Sequence, residues 1–182
     1  NLDIPRDCVA GEYTGTGTLT VNGASIKLEI TAKVANVEIP VEPTPRSAFG
    51  IWYDYVRESE KENMDENTYR TYYEFLLSKR LTPTGLLPEI AWSTLDAFIE
   101  GAVEAARDPR VTAFQAADHV KSDGDATELL TALMNKNLEL RRAGETDIDL
   151  FEKLMVYKFD EPGVNGIPFD TIRNYDKKLY EC

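Results

Sequence analysis

Residues 154–162 read Leu154-Met155-Val156-Tyr157-Lys158-Phe159-Asp160-Glu161-Pro162. An apolar, β-rich run ends in two adjacent carboxylates, and Pro162 cannot donate to a ladder that would continue it. A parallel strand looks like this where it delivers acids to the carboxyl end of an α/β barrel, the face on which such enzymes keep their active sites. Neighbouring side chains on a regular strand point to opposite faces. Asp160 and Glu161 therefore converge on one ligand only if the strand stops between or just after them. Pro162, with Gly163 and Gly166 behind it, supplies that stop. A surface strand-to-turn junction with two solvated acids has the same appearance, so the rest of the chain must decide.

The segments before and after this stretch alternate strand and helix. Ala48 to Asp54 predicts an aromatic-rich strand. Tyr69, Tyr72, Tyr73, Leu76 and Leu77 then fall on one helical face, and these tyrosines read as packing. A second strand is predicted at Leu81 to Leu87, weakened by Pro83 and Pro88. Ser93-Thr-Leu-Asp96 resembles a capping box ahead of the stripe Leu95, Phe98, Ile99, Ala102, Val103 and Ala106. Val111 to Ala116 predicts a third strand. A helix follows from about Asp125, with Leu129, Leu130, Leu133, Met134 and Leu138 on its apolar face and Gly144 closing it. Residues 154–159 are the fourth strand, and Pro168 starts a last helix bearing Phe169, Ile172 and Leu179. Alternation of this kind implies a parallel sheet. The units occupy residues 47–182 at roughly 34 residues apiece, against about 250 residues for a closed eight-unit barrel. The expected fold class is thus α/β: β-sandwich strands followed by half a (β/α)8 TIM barrel, four βα units on a parallel sheet.

The sandwich strands are residues 1–40. Thr16, Thr18 and Thr20 alternate with Gly17, Leu19 and Val21, and Asn22-Gly23 is a strong type I′ hairpin signal. The return strand places Ile26, Leu28, Ile30, Ala32 and Val34 on one face and Lys27, Glu29, Thr31 and Lys33 on the other. One buried face and one wet face are expected, as in a sandwich sheet. Two strands alone are marginal in water, so they require neighbours, and the chain reads as a fragment. Residues 41–46 form a proline-spaced linker between the two parts.

Twenty basic against 32 acidic residues give the 182-residue chain a net charge of −12. A field of that sign repels phosphate backbones and anionic lipid, which disfavours a nucleic-acid partner and suits a neutral substrate such as a sugar. No window approaches the roughly 20 apolar residues of a membrane span. Cys8 and Cys182 sit in no metal or redox spacing, and His119 is the one histidine, so no zinc site is expected. His119 follows Asp118 in a loop and reads as a solvated imidazole. GxGxxG, phosphate-loop and Gly-x-Ser-x-Gly motifs are missing from the sequence, and no cofactor is expected.

Three stretches, in order, carry a resemblance. Asp3-Ile-Pro-Arg-Asp-Cys-Val-Ala-Gly-Glu-Tyr-Thr-Gly-Thr-Gly-Thr-Leu-Thr-Val resembles the closing sandwich strands ahead of the barrel in glycoside hydrolase family 123 and its relatives. Val37-Glu-Ile-Pro with Pro45 to Trp52 is similar to their passage into the first barrel strand. Phe159-Asp160-Glu161-Pro162 is similar to their catalytic segment. The resemblance implies hydrolysis of β-linked N-acetylhexosamine, N-acetylgalactosamine in particular, outside the cytoplasm. The sugar's own acetamido oxygen would attack the anomeric carbon, an exception to the usual nucleophile-plus-acid pair. Glu161 carries over as general acid/base, and Asp160 as the group that orients the acetamide.

Trp52, Tyr53 and Asp54, at the end of the first strand, are the candidate sugar-binding residues. A glycan is the expected partner. The alternative is a non-catalytic carbohydrate-binding or surface-interaction module on the same scaffold. A half barrel would expose the edge of its fourth strand and an apolar inner face. Self-association through that edge, and inactivity of the chain alone, are the corresponding expectations.

Overall fold

The computed structural model describes residues 2–65 and 67–182, and it divides into the units Asn1–Pro40 and Val41–Cys182. Asn1, where the expected sandwich segment begins, lies outside the described residues. In the first unit, β1 (Gly11–Val21) and β2 (Ala24–Val34) pair antiparallel. Asn22 at φ 51° and Gly23 at φ 80° take the left-handed backbone that a type I′ turn demands. Leu19 stands opposite Ile26, Gly17 opposite Leu28 and Gly15 opposite Ile30. Opposed residues share a face, so the apolar set lies on one side and the threonines and charges on the other. The expected buried face is not found: the sheet has these two strands alone among the described residues, and Leu19, Ile26, Leu28 and Ile30 are exposed. Alternation determines which residues share a face, but burying that face takes a second layer, and the first unit has none among the described residues.

The second unit corrects the half barrel. The expected strand Ala48–Asp54 supplies one parallel bridge, Phe49 beside Pro83, and then becomes α1 (Tyr53–Glu60). In α2 (Thr68–Ser78), Tyr69, Tyr73 and Leu77 are buried, as the period requires. Leu81–Leu87 is no strand beyond Pro83, and Pro88 opens the short α3 (Pro88–Ala91). Helix α4 (Leu95–Arg107) is capped one residue later than the sequence suggests. Thr94 Oγ1 accepts from the Ala97 N–H at 3.4 Å, while Ser93 Oγ donates back to the Ile90 carbonyl.

The strand expected at Val111–Ala116 shrinks to β3 (Phe114–Gln115). Next comes α5 (Thr127–Arg142), closed by Gly144 at φ 88°. It buries Leu129, Leu133 and Leu140 but leaves Met134 and Leu138 of the expected stripe exposed. Buried Asn137 accepts the Leu150 N–H and donates to Asp149, which fixes the start of α6 (Leu150–Lys153). The strand expected over 154–159 is only β4 (Leu154–Met155), parallel to β3 with Phe114 opposite Leu154. The last helix, α7 (Phe169–Glu181), follows Pro168. Seven helices and two sheets of two strands each replace the four-unit barrel half among the described residues.

A physical reason for the short strands lies at their amino ends. The Thr82 N–H donates to Ser47 Oγ at 2.9 Å, the Ser47 N–H to Thr112 Oγ1 at 3.0 Å, and the Thr112 N–H to Thr82 Oγ1 at 3.0 Å. Three N–H groups that a ladder would use are bonded to side chains instead. The two threonine hydroxyl protons also have acceptors within reach, the Ser47 carbonyl for Thr112 and the Arg110 carbonyl for Thr82. The core then forms between helices and β3 around Phe98, Phe114, Leu129, Leu133 and Leu150.

Thr82→Val removes a buried hydroxyl and leaves the Thr112 N–H without its acceptor, so it costs about 1–3 kcal/mol, most of which Thr82→Ser restores. Chemical denaturation of the two variants checks the difference. Gly124 has φ 88°, and a Cβ there would stand 2.4 Å from the Tyr175 backbone oxygen in α7. Gly124→Ala therefore lowers the melting temperature by the equivalent of about 2 kcal/mol or more. Gly163→Ala, with open space and no positive φ, leaves it within about 0.5 kcal/mol.

Candidate functional site

Segments that run parallel present their carboxyl ends on one edge. Phe49 bridges Pro83 in parallel, the Gln115 N–H donates to the Thr84 carbonyl at 2.9 Å, and β4 runs parallel to β3. The residues that follow Phe49, Pro83, Gln115 and Met155 therefore emerge together. A cavity of about 110 Å³ lies there, with Trp52, Tyr53, Thr84, Leu86, Gln115 and Asp118 in its wall. Its aromatic side is built around Tyr53, whose ring centre is 5.6 Å from Tyr69 and 5.4 Å from Trp92, the latter edge-on at 85°. Burial pushes the Tyr69 phenol up to about 12, which keeps it a donor, and it donates to the Ile51 carbonyl at 3.0 Å. That bond fixes the backbone just before Trp52.

The acid pair sits beyond β4. Asp160 accepts the Tyr157 phenol at 2.5 Å, and its backbone carbonyl accepts from Asn165 Nδ2 at 2.6 Å. Glu161 is in the left-handed region at φ 40°. Its carbonyl accepts the N–H groups of Val164 and Asn165, and the Ile167 N–H donates to the Pro162 carbonyl, which closes a tight turn. The Glu161 side chain is exposed and has no hydrogen bond or ion pair among the described residues. Its charge nevertheless reaches the phenol that Asp160 binds. The Tyr157 phenol is held above its ordinary value, first by the bond to Asp160, then by desolvation and the charges of Asp160 and Glu161. Both carboxylates thus bear on Tyr157, and only one is pinned.

The structure brings some of the candidate residues together and separates others. Trp52 and Tyr53 share the cavity wall. Asp54 does not join them, because α1 begins at Tyr53 and Asp54 pairs with Arg57 one turn on, at 2.8 Å and in solvent. Asp160 and Glu161 lie outside the cavity, and Gln115 connects the two places: it lines the cavity and its Nε2 donates to the Tyr157 carbonyl at 3.3 Å. Sequence reading passed over Tyr157, Gln115 and Asp118. Gln115 lies near the end of the strand predicted at Val111 to Ala116, and Asp118 just past it, an acid beyond a strand being the signal used for Asp160 and Glu161.

His119 is not solvated as expected. Its ring packs 4.3 Å from Phe98, and its Nε2 donates to the Ala91 carbonyl at 3.2 Å, a packing role. Both cysteines are free thiols. Among the described residues no three His, Cys, Asp or Glu side chains group to hold a metal, and no helix is long and apolar enough to cross a membrane. Compared with family models, curated proteins and solved structures, the chain matches none.

A neutral phenol donating to an anion is stabilised in its protonated form, so removing the anion lowers its pKa. Asp160→Asn therefore brings the Tyr157 phenol down towards its ordinary value of about 10. Titration of the tyrosine Cζ resonances by NMR, with Tyr157→Phe for assignment, reads this directly.

Proposed function

We propose that the protein is a glycoside hydrolase that acts on β-linked N-acetylhexosaminides, of the N-acetylgalactosamine type, outside the cytoplasm. The observation that carries the reading is the inequality of the two acids. Tyr157 holds Asp160 at 2.5 Å, while the Glu161 side chain, one residue on at the same edge as an aromatic cavity, has no bond among the described residues. Substrate assistance needs two such unequal groups. Asp160 orients the acetamide, whose oxygen forms the bond to the anomeric carbon as the glycosidic bond breaks. Glu161 gives its proton to the departing oxygen, then takes one from the water that opens the cyclic intermediate and restores the acetamide. The net charge of −12 suits a neutral substrate.

A second reading, a carbohydrate-binding module without turnover, is favoured by one observation: neither carboxylate lines the aromatic cavity. The expected self-association and inactivity of the chain alone followed from an open half barrel, which the two small sheets replace. The two readings therefore separate with the chain itself on aryl β-N-acetylgalactosaminide. Glu161→Gln reduces hydrolysis about a hundred- to ten-thousandfold, the usual worth of general acid catalysis, without changing the thermal melt. Sugar binding with no hydrolysis by the wild-type protein would leave the binding module standing and remove the enzyme. Hydrolysis unaffected by Glu161→Gln would remove Glu161 from the reaction.

A further inference from the structure

A second cavity adjoins the first and shares Tyr53, Tyr69, Pro88 and Trp92 with it. At about 430 Å³ it is the larger of the two, and it falls in the range of roughly 300–1,000 Å³ typical of small-molecule sites. The 110 Å³ space at the strand edge does not. We propose that this outer compartment binds a second sugar ring, so that the ligand is a β-linked oligosaccharide rather than a single terminal residue. The proposal rests on the reading of this edge as a site for sugars.

The walls of the compartment divide into a platform and a polar rim. Trp92 is 62% exposed although its edge neighbour Tyr53 anchors it, so an indole face stays open to solvent. A large apolar ring left exposed beside a cavity is the informative departure from ordinary burial. The rim carries Asp65, Asn67, Arg70 and Glu89. Arg70 Nη2 donates to Glu89 Oε1 at 2.8 Å, which leaves the other donors of the guanidinium and the second oxygen of the carboxylate. Asp65 spends one oxygen, Oδ1, on the Asn67 and Thr68 N–H groups and the Thr68 hydroxyl. The Asn67 side-chain amide bonds to nothing among the described residues.

The rim therefore offers both donors and acceptors beside an aromatic face. Sugar hydroxyls, each both donor and acceptor, match such a rim, and the C–H face of a pyranose matches the indole. Two carboxylates against one guanidinium make the rim net negative, which excludes phosphorylated or sulfated sugars.

Trp52 and Trp92 are the two tryptophans of the chain, and both border these cavities, so intrinsic fluorescence reports the site. The full chain is titrated with N-acetylgalactosamine, N-acetylglucosamine and N,N′-diacetylchitobiose. The disaccharide binds at least about tenfold tighter than either monosaccharide. Asn67→Ala and Trp92→Ala bring that ratio to about one, and Trp92→Phe, which keeps a platform, preserves most of it. Equal binding of mono- and disaccharide by the wild-type protein overturns the proposal, as does a ratio that survives Asn67→Ala in a protein with an unchanged melt. The catalytic reading fails separately. A tenfold ratio without hydrolysis removes the enzyme and keeps the compartment. Hydrolysis of the aryl glycoside with a ratio of one removes the compartment and keeps the enzyme.

Discussion

The N–H groups of Ser47, Thr82 and Thr112 donate to hydroxyls on neighbouring segments, and everything after them along those segments inherits the resulting spacing. Thr82 is fully buried and Thr112 nearly so, so their groups cannot fall back on water. A sheet ladder would satisfy the same donors with backbone carbonyls. Here the side chains do it, and the segments need no extended pairing to stay together. The helices then enclose Phe98 and Phe114, and the sheet survives as little more than Phe114 against Leu154. What remains of the parallel arrangement is enough to bring four carboxyl ends to a common edge.

Helical faces were legible because burial acts on them directly. Tyr69, Tyr73 and Leu77 recur at four-residue steps, and the core takes up all three. The hairpin was legible for a different reason: Asn22-Gly23 is a local device that depends on no partner. The strands of the second unit were not legible, because an apolar run such as Val111 to Ala116 has no period to separate a ladder from a buried connection. Thr82 and Thr112 sit inside such runs, and nothing in the sequence says that their hydroxyls will bond to backbone donors. The site divides in the same way. An aromatic pair at Trp52-Tyr53 and an acid pair at Asp160-Glu161 can be read from residue types. The turn of α1 that carries Asp54 away to Arg57, and the bond from Gln115 to Tyr157, depend on where the backbone changes course.

The surface charge is mostly local and exposed. Arg107 with Glu145 and Arg70 with Glu89 are pairs on the solvent side, and such pairs contribute typically under about 1 kcal/mol each. Arg110 is the more enclosed case, since it reaches Asp108 and Glu74 from one guanidinium and ties the end of α4 to α2. The excess of acids is thus largely left over after pairing, and it gives the molecule a field that neutral ligands do not feel.

Glu161 occupies backbone that glycine adopts freely and that costs another residue roughly 1–2 kcal/mol. Its side chain returns none of this through a bond within the described residues. Selection for a firmer fold alone would therefore drift this position towards glycine, and directed evolution for heat resistance would find the same route. A thermostabilised descendant that has lost its glutamate here would be better folded and would keep at the strand edge only Asp160, the acid that Tyr157 already holds. Stability and carboxylate compete for one residue, and position 161 is where that competition can be measured.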